Sequence, residues 1–296
     1  METFERWFLD SDRRLTPLWR AIVYFTLTFF ALPMILDPLA AGLAERLQLG
    51  TALTPGVIAF AEGEQLLIAL IATGLFAWYE GRRIDSYFLP FGQALGRRTW
   101  EGVLTGVVIA GGVAIGMIAL GGMQVHGIAL SGTALLTFAI AWLIAMVLVG
   151  LAEELWFRAY FLKTLWQAIG FWPASLIIAG IFAAMHYFFK DGENVWDVIT
   201  LLWFSLLICY SVRKTGTLWF AVGLHFAFDY MQFFVIGSPN GTLVPQGRLL
   251  DVTFNGPAWV TGGVLGTEAS LLMYPMLALA TLYVWRRDPT PALDQL

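Results

Sequence analysis

Apolar runs long enough to cross a bilayer recur along almost the whole of this chain. A hydrocarbon core about 30 Å thick takes about 20 helical residues to span. Inside it a backbone can satisfy its polar groups only by internal hydrogen bonds, so such runs are expected to be helices. Only 13% of the 296 residues are charged and 58% are hydrophobic, against about 25% charged in a soluble domain. The expected fold class is therefore all-α, a polytopic membrane bundle of about eight transmembrane helices. Candidate spans lie near 19–37, 56–79, 101–123, 131–152, 174–189, 195–212, 217–236 and 258–285.

Charge then orients the bundle. Arg13, Arg14 and Arg20 precede the first span, and Arg82, Arg83, Arg97 and Arg98 fill the second loop. Lys163 lies in the fourth connection, Arg213 and Lys214 in the sixth, and Arg286 and Arg287 follow the last span. The loops between these are poor in basic residues; one holds only His126. Basic loops face the cytoplasm, so both termini are expected there, in a plasma or inner membrane if the source is prokaryotic. The N-terminus, Met-Glu-Thr-Phe-Glu-Arg-Trp, lacks a cleavable signal pattern, and the first helix is expected to remain as an anchor. A net charge of −4 gives no sign of a nucleic-acid partner. The single cysteine, Cys209, excludes an intrachain disulfide.

The third span carries Gly102, Gly106, Gly111, Gly112, Gly116, Gly121 and Gly122, a close-packing signal in lipid. The loop 237–257 is the longest outward connection and reads as a flexible surface loop or, alternatively, a lid. Glu62, Glu64 and Gln65, near the outer start of the second span, read as interfacial, with a transport path as the other possibility. Trp166, Trp172, Trp196 and Trp219 lie at span ends and are expected to anchor the interface. No internal repeat or soluble domain is apparent, so residues 1–296 are expected to form one membrane domain.

Three polar patterns interrupt the apolar segments: Glu153-Glu154-Leu-Trp-Phe-Arg158, Phe182-Ala-Ala-Met-His186 and His225-Phe-Ala-Phe-Asp229. An ionisable side chain at bilayer depth costs several kcal/mol, roughly 2.5–3.5 on insertion scales, and tends to be functional. On a helix, Glu154 and Arg158 share a face and can pair, while Glu153 points about 100° away. Phe182 and His186 share a face, as do His225 and Asp229. Gly170-Phe-Trp-Pro173 breaks the fourth span from the fifth. Glu153 and His186 are nearly equidistant from that turn, which puts both roughly 25 Å from it at one level. If Arg158 to Trp172 projects partly into the cytoplasm, His225 and Asp229 share that level. Taken singly, each pattern also fits a boundary cap, an interfacial histidine or a polar clamp between helices.

In this order on successive helices, Glu-Glu-x-x-x-Arg, Phe-x-x-x-His and His-x-x-x-Asn resemble the motifs of the CPBP family, also called the Abi or CAAX-protease family. Its best-known members are Rce1-type prenyl-protein endopeptidases. The resemblance covers roughly residues 130–236 as a catalytic core, with 1–129 and 237–296 as flanking helices. It implies an intramembrane endopeptidase acting on a protein or peptide substrate at the lipid bilayer, with no cofactor. Glu153 with His186 would activate a water, His225 and residue 229 would stabilise the oxyanion, and Glu154, Arg158 and Phe182 would support them. Position 229 departs from the commoner family pattern, since an asparagine amide donates a hydrogen bond and an ionised aspartate does not. Three rival readings stand beside this one. Glu153, His186, His225 and Asp229 form a set that zinc accepts, which makes a zinc-dependent protease the metal alternative. A non-enzymatic immunity or interaction protein would keep the motifs as a polar core. A transporter would use Glu62 and Glu64 with the same buried groups.

Overall fold

The computed structural model describes residues 7–287. The N-terminal segment read above for a signal, and the chain after Arg287, lie outside them. Among the described residues, eight helices are long and apolar enough to cross a membrane: α1 (Pro17–Arg46), α2 (Pro55–Glu80), α3 (Arg97–Ala119), α4 (Gly132–Ile169), α5 (Phe171–Phe189), α6 (Val195–Thr215), α7 (Trp219–Ile236) and α8 (Gly263–Trp285). Helix makes up 73% of the structure, so the fold is an all-α polytopic bundle and the protein is integral to a membrane.

Two sets of polar ties gather the span ends at opposite poles. At one pole, Glu80 closes α2 and accepts from Arg20 Nη1 at 2.5 Å, Tyr160 Oη at 2.8 Å and Tyr87 Oη at 2.9 Å. Lys163 Nζ donates to the Ser86 carbonyl at 2.8 Å, and Arg287 Nη1 meets Glu101 Oε2 at 2.8 Å. The start of α1, the end of α2, the start of α3, the α4–α5 junction and the end of α8 therefore share one side. These are the segments rich in basic residues. At the other pole, β1 (Met123–Ile128) pairs antiparallel with β2 (Leu250–Phe254), with a register shift between Val125 and Gly127.

The centre of the bundle is α7. Of its most apolar stretch 78% is buried, against 11% for α1. Glycines make that burial possible. A Cβ added at Gly102 would sit 2.1 Å from the Phe220 carbonyl oxygen, and one at Gly223 would sit 2.2 Å from the Thr99 carbonyl oxygen. The backbones of α3 and α7 thus touch directly, as small residues in lipid allow.

Several sequence expectations need correction. The third span ends at Ala119, and Met123 already begins β1. The loop 237–257 is tied down: Leu249 N donates to the Phe234 carbonyl at 2.6 Å, Gln246 N to the Leu53 carbonyl at 2.9 Å, and Trp142 Nε1 to the Gln246 carbonyl at 2.9 Å. Those bonds, with the β1 pairing, satisfy its backbone and hold it against the bundle. The segment after Arg158 packs against the rest of the bundle. Helix α4 continues to Ile169, and Tyr160 to Leu165 are buried, packed among α1, α5 and Tyr87. Those six residues are buried all round the helix, directly after the non-helical Ala159 (φ −80°, ψ −99°). Trp172 and Trp196 are exposed at span ends, but Trp219 is buried and donates Nε1 to the Pro90 carbonyl at 2.8 Å.

Candidate active site

The three polar patterns meet. Glu153 from α4, Phe182 and His186 from α5, and His225 and Asp229 from α7 line one cavity of about 190 Å³. Local helix geometry helps to place them. In α4 the α-helix ends at Glu154 and a π turn, Leu155–Ala159, follows at once. In α7 the α-helix ends at Asp229 and a second π turn covers Tyr230–Ile236. π turns widen a helix by one residue and are frequent beside functional groups.

Glu154 and Arg158 lie behind the cavity, both wholly buried, 3.4 Å apart between Oε1 and Nη1. The guanidinium also donates from Nη2 to Ser205 Oγ at 2.6 Å and rests 4.7 Å from the centre of the Phe182 ring. A buried charge needs such partners. Glu154 does more than neutralise the arginine, because its Oε1 accepts from His225 Nδ1 at 2.7 Å. That bond fixes the imidazole and turns Nε2 toward Glu153 Oε2 at 3.6 Å and Asp229 Oδ2 at 3.5 Å. The Phe204 ring meets the same imidazole edge-on, 5.3 Å between centroids. His186 is fixed differently: Nδ1 donates to the Phe182 carbonyl at 2.9 Å, and the Phe182 ring lies 4.6 Å from the imidazole.

Glu153 and His186 line the same cavity, as their equal distance from the Gly170 turn led us to expect. Among the described residues no direct hydrogen bond or ion pair joins them, and the imidazole in contact with Glu153 is that of His225. Glu153 Oε2 is buried and makes no hydrogen bond among the described residues, its contact being the His225 imidazole at 3.6 Å, while its side chain as a whole stays 15% exposed on the cavity wall. The four residues weighed as zinc ligands share this cavity, yet among the described residues no three His, Cys, Asp or Glu side chains are grouped to hold one ion.

Sequence reasoning missed two more carboxylates of the cavity wall. Glu62 of α2, read as interfacial, lines it with a buried Oε2 that lacks a partner. Glu268 of α8 lines it as well. Glu268 is the sole charged residue of its span, and that isolation was its signal. Glu64, by contrast, lines a separate groove between α1 and α2. On the cavity wall Lys190 Nζ lies 2.6 Å from Glu268 Oε2 and 3.4 Å from Asp197 Oδ2 and Glu193 Oε1. Burial opposes the charge on Lys190, but those carboxylates, Glu268 foremost, raise its pKa above the usual lysine value and keep it an ammonium.

Comparison with known proteins agrees with the motif reading. Residues 134–231 match the family described as type II CAAX prenyl endopeptidase Rce1-like, and every cavity residue of α4, α5 and α7 named above falls inside the match. The chain is also 30% identical over 166 residues to an uncharacterized Bacillus subtilis protein, YyaK. That alignment covers 52% of each chain, so this chain spans about half the length of the curated relative it matches. No solved structure matches it.

Proposed function

We propose that this chain is an intramembrane endopeptidase that hydrolyses a peptide bond of a membrane-associated protein with a glutamate-activated water. The observation that carries the reading is the convergence of Glu153, His186, His225 and Asp229, from three spans, on one cavity. The Rce1-like match supports the same reaction class.

The chemistry follows from the cavity wall, which Glu153 lines. Its carboxylate takes a proton from water while the water oxygen attacks the scissile carbonyl carbon. His186, held through Nδ1, presents Nε2 as the second partner of that water. The charge that develops on the carbonyl oxygen is met from the α7 side. There His225 donates from Nε2, its other ring nitrogen being committed to Glu154. Donors aimed at such an oxyanion contribute about 3 kcal/mol each. Glu153 then passes its proton to the leaving amine, the C–N bond breaks, and a carboxylate and an amine result. Asp229 orients His225, and Glu154 with Arg158 holds the assembly in place. This route uses no cofactor. The substrate is a protein or peptide at the bilayer, residues 130–236 are the catalytic core, and residues 1–129 and 237–296 form its flanks. The pole rich in basic residues, which holds the start of α1 and the end of α8, faces the cytoplasm.

The test is purified protein in lipid nanodiscs, assayed on a pooled library of internally quenched peptides. Glu153→Gln and His186→Ala should each lower the rate by at least about 10²-fold while the thermal midpoint stays near that of the natural chain. A chelator such as 1,10-phenanthroline should leave the rate unchanged; its abolition would favour the zinc set instead.

A further inference from the structure

Behind Asp229 lies a hydrogen-bonded chain that no motif contains. Gln232, three residues on in the π turn of α7, is 2% exposed and does not reach the cavity. Its amide nitrogen donates to Asp229 Oδ1 at 3.4 Å and to Glu268 Oε1 at 3.0 Å. Its carbonyl accepts from the Thr267 hydroxyl. Thr267 is wholly buried and is itself held by its backbone N–H, which donates to Ser238 Oγ at 2.9 Å. Beyond Glu268 the chain ends on Lys190.

The orientation of the Gln232 amide is dictated by its neighbours. Turned over, its carbonyl oxygen would face the oxygens of two carboxyl groups, and both hydrogen bonds to them would be lost. As built, each amide hydrogen has an acceptor and the carbonyl has a donor, so the group is fully satisfied. The consequence falls on residue 229. Gln232 requires an acceptor on its own side, Oδ1, which leaves the other side-chain atom, Oδ2, 3.5 Å from His225 Nε2.

We propose that Gln232 is a positioning residue of the site, fixing which side-chain atom of residue 229 faces His225 and anchoring that choice to α8. The proposal rests on the endopeptidase reading above. It has a consequence that mere packing lacks. The two oxygens of a carboxylate are equivalent, so losing the lock costs Asp229 only its rigidity. The two ends of an asparagine are not equivalent. In an Asp229→Asn chain Gln232 holds the carbonyl oxygen on its own side and sends the NH₂ toward His225 and the cavity. Without Gln232 that side chain is free to turn over.

The experiment therefore places Gln232→Met, similar in size but without hydrogen bonds, in three backgrounds. The readout is the initial rate on the same quenched peptide library in nanodiscs, with Glu153→Gln run alongside. We expect a loss of about threefold in the natural chain, about tenfold or more in Asp229→Asn, and less than about twofold in Asp229→Ala, where nothing remains to be oriented. If Gln232→Met yields no folded protein by size exclusion, Gln232→Leu carries the test, since it removes both donors without adding a charge. One common factor in all three backgrounds would overturn the positioning role and leave the endopeptidase reading standing. A natural chain that cleaves no library peptide, or a Glu153→Gln chain as fast as it, would remove that reading and the proposal with it.

Discussion

Two adjacent glutamates carry different burdens. Glu154 is wholly buried against Arg158 and His225, whereas Glu153 lines the cavity and keeps part of its side chain exposed there. Arg158→Ala leaves the buried Glu154 with His225 as its remaining partner, a change expected to cost on the order of 3 kcal/mol. A fall in the thermal midpoint and in folded yield should follow, with activity lost as a result. Glu153→Gln should do the reverse, removing activity and sparing the midpoint. Identical thermal behaviour of the two variants would break this division. The helical spacing in the sequence made three contacts legible: Glu154 with Arg158, Phe182 with His186, and His225 with Asp229. It could not reveal that Glu154 also holds His225, because that bond joins residues of α4 and α7 across the bundle. Glu62 was misread because position near a span end says nothing about the direction a side chain faces.

At the scale of elements, the meeting of α3 and α7 sets the depth at which His225 and Asp229 are held. Gly223 lets the Thr99 carbonyl approach to where its Cβ would be, and Gly102 does the same for Phe220. Gly223→Val must push the helices apart, and overpacking of this kind costs about 1–3 kcal/mol or more. Folded yield should drop sharply. Gly180→Ala is the control, since nothing lies within 4 Å of a Cβ there, and it should be tolerated. An intact Gly223→Val protein of normal stability would mean that the contact is dispensable. Span positions were legible from hydropathy alone, and the glycines announced close packing. The pairing of β1 with β2 was not legible, since it joins segments more than a hundred residues apart through backbone bonds that residue type hardly marks. The π turns were equally silent. In α4, Leu155–Ala159 reads as ordinary helix around Arg158, yet the axis breaks there and the following residues turn into the core.

For the whole molecule, the polar ties place alternate loops at opposite poles, as the alternation of basic residues requires. Reporter fusions after Pro90 and Lys214 should read cytoplasmic, and those after His126, Gly192 and Arg248 external. A cytoplasmic signal at His126 or Gly192 would contradict the orientation. That topology puts the Lys190–Glu268 end of the cavity toward the external side. The central claim is that a peptide bond is broken because Glu153 is present. The most direct measurement is a comparison of new protein N-termini in intact membranes that hold equal amounts of the natural chain or of Glu153→Gln. The account predicts at least one N-terminus within a membrane-associated protein that appears with the natural chain and vanishes with the variant. Identical sets of N-termini at equal protein abundance would contradict it.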